Sequence, residues 1–189
     1  MKCKAVPLSL FLLLFTFLST AQTSTETSST IASISGMDPE KSILKNTEGS
    51  KNHKTLLAAM RAADLEEILG YAGPFTVFAP SDSAFEKLST EKITDLLLPE
   101  NKKELHALMT YHIVAGNFSA SKILRAMCRG AGKAKFTTVQ GDEITATMLG
   151  VDIVLTDNFG NTARITTADS NQCNGVIHEI DSVIRPGKI

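Results

Sequence analysis

The sequence predicts an α+β fold in which helices come first and a mostly antiparallel set of strands follows. Three observations carry this. Apolar residues three and four apart mark helical faces at Leu56–Met60–Ala63, Ile93–Leu96–Leu97 and Leu105–Leu108–Met109. From Lys135 onward the pattern changes to short strand-like runs, separated by Gly141, Gly150 and residues 157–161. Between a Gly73-Pro74 turn and Pro80 lies the apolar run 75–79, the length of one buried strand and too short for a buried helix.

In chain order, Asp38-Pro39 opens the folded part and a short helix is expected over 41–46. After the polar stretch 47–54, Leu56, Leu57, Met60, Ala63, Leu65, Ile68 and Leu69 keep helical spacing until residues 71–74 end it. The buried strand stops at Pro80, and Ser81 or Asp82 caps a helix that turns Phe85 and Leu88 to one face. Thr90 is placed to cap a helix that Pro99 terminates, and residues 101–110 form another. Residues 111–114 read as a strand. Ser119 or Ser121 begins a helix through Arg129, which residues 130–132 break. Strands are expected over 135–139, 143–149, 151–156, 162–167 and 176–180.

Three stretches resemble the signatures of one known family. They are GPFTVFAPSDSAFEKL at 73–88, YHIVAG at 111–116 and NGVIHEIDSVI at 174–184, in this order and at this spacing. The match resembles the fasciclin-like (FAS1) domain, and it runs from about Ser42 to Pro186 as a single copy. Asp64 departs from the pattern, standing where the family usually has a small residue or glycine. The resemblance implies a compact, wedge-like domain that acts in adhesion at cell surfaces, in matrix or on other proteins, without catalysis and without a cofactor. It also implies that the Tyr111-His112 pair is a structural element with a part in adhesion.

The first 21 residues carry Lys2 and Lys4, an apolar run and the small residues Ser19-Thr20-Ala21, the pattern of a secretory signal peptide. Residues 22–37 form a spacer: nine of the fourteen residues 23–36 are Ser or Thr, and nothing there is periodic enough to build a core. The FAS1-like domain is expected over 38–187, with no membrane span and a secreted or cell-surface location. Removing residues 1–21 takes two lysines and no acid, which leaves 17 Lys+Arg against 20 Asp+Glu. A net charge of that sign is no footprint for nucleic acid. Cys128 and Cys173 remain. In an exported chain they suggest one disulfide, against the alternative of two unpaired thiols, or of crosslinks between chains.

A catalytic reading finds residue types but no pattern. Ser81, Asp82, His112 and His178 include a nucleophile, acid and base, yet there is no G-x-S-x-G elbow and Ser81-Asp82 reads as a helix cap. His53, His106, His112 and His178 lack metal-ligand spacing, so His112 and His178 are expected to spend their ring nitrogens on backbone carbonyls or a carboxylate. Residues 157–161 have acidic and amide groups, but the twelfth position of a calcium loop would be Ala168, so a turn is expected. Residues 130–132 follow a helix, not a strand, and make no phosphate cradle.

The strongest surface signal is basic. Lys122, Arg125, Arg129, Lys133 and Lys135 fall in residues 119–140 without an acid among them before Gln140. Lys122, Arg125 and Arg129 are spaced by three and four, which places them on one helical face that can hold an anionic polysaccharide or an acidic protein surface. Asn117-Phe118-Ser119 fits an N-glycosylation acceptor. The rival to adhesion is binding of a small apolar ligand in a cleft between helices and sheet.

Overall fold

The computed structural model describes residues 36–187. The expected signal peptide and most of the spacer lie outside the described residues. Among the described residues seven α-helices and seven strands follow one another: α1 (Ile43–Gly49), α2 (Lys54–Ala62), α3 (Glu66–Tyr71), β1 (Phe75–Pro80), α4 (Asp82–Glu86), α5 (Thr90–Leu96), α6 (Lys102–Tyr111), β2 (Ile113–Ala115), α7 (Ala120–Arg129), β3 (Lys133–Thr137), β4 (Glu143–Leu149), β5 (Asp152–Thr156), β6 (Thr162–Gln172) and β7 (Gly175–Ile180). The α+β expectation is met.

The strands form one sheet in the order β2-β1-β7-β6-β5-β4-β3. All neighbours are antiparallel except β1 and β7, which run parallel and pair Phe75 with Gly175 through Pro80 with Ile180. The two ends of the sheet meet: Val114 bridges Thr138, and Val139 N–H donates to Ile113 O at 2.7 Å. The sheet therefore curls into a nearly closed wall, which removes the exposed edges of β2 and β3 at that point.

Burial follows the two-residue period of the central strands. Val77, Ala79 and Ile177 face α1–α6 and join Leu56, Met60, Leu65, Leu105 and Leu108 in one core. Phe78, Val114, Phe136, Ile144, Leu155 and Ile180 face the other way and enclose a second core, closed on one side by Ile123 and Met127 of α7. Because β1 is covered on both faces, its sequence shows no apolar–polar alternation, and Thr76 is the one polar side chain in an otherwise apolar run.

Several local expectations are revised. The helical stretch 56–69 is two helices, broken at Asp64, which adopts φ 55. That conformation favours glycine, which accounts for the family's small residue at this place. Tyr111 closes α6 and His112 is its C-cap, so the strand begins only at Ile113. Ser89, not Thr90, caps α5. Ser81 caps α4 through Ala84 N–H, while Asp82 reaches across to cap α2, accepting from Lys54 N–H and Thr55 N–H. β3 starts two residues early, and β6 runs on to Gln172 through irregularities between Ile165 and Ser170.

The expected Cys128–Cys173 disulfide is not present: both thiols are free and exposed. The chain separates them, since Cys128 lies on α7 against β3, and Cys173 lies in the β6–β7 turn, where its N–H donates to Lys41 O at 3.0 Å.

Asn174, in that turn, joins elements far apart in sequence. Its Oδ1 accepts from Ile43 N–H at 2.8 Å, its Nδ2 donates to Leu69 O and Ala72 O at 2.9 Å each, and its backbone carbonyl accepts from Phe75 N–H. Replacing Asn174 with alanine strands one donor and two acceptors at the ends of α1 and α3. The expected loss is about 2–4 kcal/mol, read as a lower denaturant midpoint with an unchanged slope.

Candidate functional site

The loop between β2 and α7 is held from three directions. Thr76, buried in β1, donates its hydroxyl to Gly116 O (2.7 Å) and accepts from Phe118 N–H (2.9 Å). His178, in β7, donates Nε2–H to Phe118 O at 2.8 Å and accepts at Nδ1 from Asp169 N–H at 3.2 Å. Asp169 stands at an irregularity of β6 with φ 60, and its carboxylate accepts from Ala120 N–H at 2.7 Å. Bulged strands re-aim side chains in this way. Here the result is an acid at the first turn of α7, where unpaired N–H groups need one. Ser119 Oγ completes the start by accepting from Lys122 N–H, which decides between the two serines.

From this clamp α7 turns Ile123 and Met127 into the core and presents Lys122, Arg125 and Arg129 to solvent. Lys122 Nζ donates to Asn117 O (2.6 Å) and Arg125 Nε to Ser121 O (3.3 Å). None of the three forms an ion pair among the described residues.

The five basic residues do not make one patch. Ala134 and Phe136 of β3 pack into the core with α7, so the two-residue period sends Lys133 and Lys135 to the opposite face of the strand. Lys135 is also paired with Glu143 at 2.8 Å. Lys122, Arg125 and Arg129 therefore remain as a contiguous cationic stripe. Asn117 sits half-buried in the clamped loop.

Tyr111 and His112 are interior. Tyr111 donates its hydroxyl to Glu143 O at 2.9 Å, tying α6 to β4, and burial with the nearby Asp157 charge pushes its pKa upward. His112 donates Nδ1–H to Leu108 O at 2.8 Å and accepts at Nε2 from Ile184 N–H at 3.4 Å. A carbonyl can only accept and an N–H can only donate, so this imidazole is neutral. His178 is neutral for the same reason, with the opposite tautomer. Burial pushes His112 down to about 4 and lowers His178 as well. Both side chains support the fold and leave no surface for a partner in the folded chain.

A family model described as Fasciclin domain matches residues 51–186. The chain belongs to the fasciclin domain family. It is 35% identical to Protein sll1483 of Synechocystis over 166 residues, covering 88% of this chain and 85% of that protein. It is 30% identical to the transforming growth factor-beta-induced protein ig-h3 of Sus scrofa, covering 78% of this chain and 20% of that longer protein. Among solved structures it is similar to the FAS1 domain pair of the insect cell adhesion molecule Fasciclin I, with a TM-score of 0.68 at 16% identity over 77% of this chain and 51% of that one.

Within this fasciclin domain the catalytic residue types singled out in the sequence, Ser81, Asp82, His112 and His178, do not converge. Ser81 Oγ caps α4 and bonds Ser83 Oγ, Asp82 caps α2, and both core histidines are bonded to backbone. Asp157 spends its carboxylate on Phe159, Asn161 and Arg185 N–H groups and on the Asn161 side-chain amide, as a turn hub and not as a calcium ligand. Among the described residues no group of three His, Cys, Asp or Glu could hold a metal ion. The apolar seam lined by Ala59, Phe85, Leu96, Leu105 and Leu108 holds only about 10 Å³. That is space for one water, not for a lipid or pigment.

One polar cluster escaped the sequence reading. Buried His53 bonds Ser50 Oγ through Nδ1 at 2.7 Å, and its Nε2 lies 3.4 Å from Glu179 Oε2 beside a polar cavity of about 150 Å³. Burial holds the imidazole below its usual pKa, against the pull of Glu179 and Asp82. The order Ser–His–Glu is that of a hydrolase, but Ser50 is the C-cap of α1, at a helix end that presents carbonyls, and its hydroxyl already accepts from Asn52 N–H at 3.3 Å. Ser50 and His53, three apart, were visible in sequence; Glu179, 126 residues on, gave no signal.

Proposed function

We propose that this fasciclin domain is a secreted or cell-surface adhesion module that binds extracellular polymers or partner proteins without catalysis. The observation that carries the reading is the exposed stripe of Lys122, Arg125 and Arg129 on a helix anchored by Asp169, His178 and Ser119. A fixed row of cations suits sulfated or carboxylated polysaccharide, or an acidic protein face, through charge-assisted hydrogen bonds. The kinship of fold with a domain pair from a cell adhesion molecule supports the same reading.

The test is saturable binding of purified protein to the producing organism's own extracellular polymer, at low and high salt, beside a heat-unfolded control. Binding is expected only from the folded protein and is expected to weaken with salt. Lys122→Glu, Arg125→Glu and Arg129→Glu together should reduce it about tenfold or more at low salt, since each lost charge-assisted contact is worth about 1 kcal/mol or above. The melting temperature should stay nearly unchanged because all three side chains are exposed. Equal binding by the triple variant would remove α7 from the mechanism.

A further inference from the structure

The β4–β5 hairpin ends in a tip that the polymer-binding reading does not use. Leu149 pairs with Asp152, so Gly150 and Val151 are the two central residues of the turn. Gly150 supplies the positive φ of 63 that such a tight turn requires at its first position. The second position is ordinarily polar. Here it is Val151, 91% exposed, preceded by Leu149 at 63% and Met148 at 42%. Strand alternation sends Met148 to the side of Ile153 and the core, and Leu149 to the opposite side. The tip is thus apolar on both faces and at its apex. Elsewhere the large exposed apolar residues occur singly, as Phe159 does, or in pairs, as Ile68 with Tyr71 on α3 and Leu97 with Leu98 just past α5, whereas the tip groups Met148, Leu149 and Val151.

The charges around the tip are positive. Lys133 stands opposite Thr147, two residues before Leu149 and so about 7 Å from it along the strand. Arg129 ends α7 and reaches β3 through the tight turn in which Lys133 N–H donates to Gly130 O. The acid at this end, Asp152, is neutralised by Arg164 at 2.9 Å. An apolar wedge flanked by Lys133, with Arg129 at the same end of the fold and neither cation ion-paired among the described residues, has the chemistry of a peripheral membrane contact: aliphatic side chains for the acyl boundary and basic ones for phosphates.

We propose that this tip seats the protein on an anionic lipid surface, with Leu149 and Val151 entering the headgroup–acyl boundary and Arg129 and Lys133 meeting lipid phosphates. The contact is peripheral; among the described residues no helix is long and apolar enough to cross a membrane. It goes beyond polymer binding on α7, because the wedge is needed here and not there.

The chain contains no tryptophan, so Val151→Trp places a single reporter at the apex. With vesicles of phosphatidylglycerol in phosphatidylcholine, its emission should shift to the blue saturably, and added salt should weaken the binding. Vesicles of phosphatidylcholine alone should leave the emission unchanged. In the otherwise unaltered chain, Leu149→Glu with Val151→Glu should lower anionic-vesicle co-sedimentation by roughly tenfold or more, since buried aliphatic area is replaced by like-charged groups. The melting temperature and polymer binding of that variant should be retained. No blue shift with anionic vesicles would overturn the proposal, as would undiminished sedimentation of the double variant. Equal binding to neutral vesicles would overturn the anionic requirement. A concentration-dependent blue shift without vesicles would assign the tip to a second copy of the chain instead.

Discussion

Replacing His112 with alanine is expected to destabilise the domain by about 3–5 kcal/mol, because it leaves Leu108 O and Ile184 N–H buried without partners and opens a cavity. That is a large share of the about 5–15 kcal/mol that holds a typical domain folded. The same residue gives the wild-type protein an acid sensitivity whose sign is set by linkage. Folded His112 titrates near 4 and the unfolded imidazole near 6.5, so between these values the unfolded chain binds more protons. Stability therefore holds above about pH 6.5 and falls as the pH drops toward 4, by roughly 3 kcal/mol for this residue alone. His178 adds to the trend with the same sign. Urea unfolding of wild type and His112→Gln across this range checks both parts. The variant should be less stable at pH 7 and should lose less on acidification. A wild-type profile flat from pH 7 to 4, or a variant with the same slope as wild type, would refute the assignment.

Gly175→Ala should be among the most damaging single-methyl changes in this domain. At Gly175 the backbone takes φ 155, and a Cβ would sit 2.0 Å from Phe75 O and 2.9 Å from Phe75 N. The parallel ladder between β1 and β7 begins at this pair, so relief requires moving the strands that separate the two cores. A loss above about 3 kcal/mol, or failure to accumulate as soluble protein, is expected. Gly160→Ala is the control: it has φ 83 with nothing within 4 Å of the added carbon. Only the left-handed backbone penalises it, by about 1–2 kcal/mol. Comparable midpoints for the two variants would mean that the close approach at Gly175 is not what requires glycine.

The elements legible in sequence were those whose burial is periodic within a few residues. The run 75–79, the Ile123 and Met127 face of α7, and the strands from residue 135 onward could be read directly, because each residue's neighbour along the period shares its environment. Boundaries were lost where a side chain serves another element. Asp82 looked like a cap for its own helix and caps α2, 27 residues earlier. Tyr111 has the composition of a strand residue and ends a helix, its hydroxyl fixed on β4.

The candidate site divides along the same line. Spacing alone grouped Lys122, Arg125 and Arg129, since three and four residues make one helical face whatever the surroundings. Nothing local revealed that Lys133 and Lys135 project from the other side of β3, or that strand pairing puts Lys133 at the same end of the sheet as Leu149 and Val151. The family, the α+β class and the cationic helix were determined by the order of residues, through short-range stereochemistry. The free thiols, the interior place of Tyr111 and His112, the clamp on α7 and the apolar tip were decided by tertiary structure, because each depends on which distant segments the closing sheet brings together.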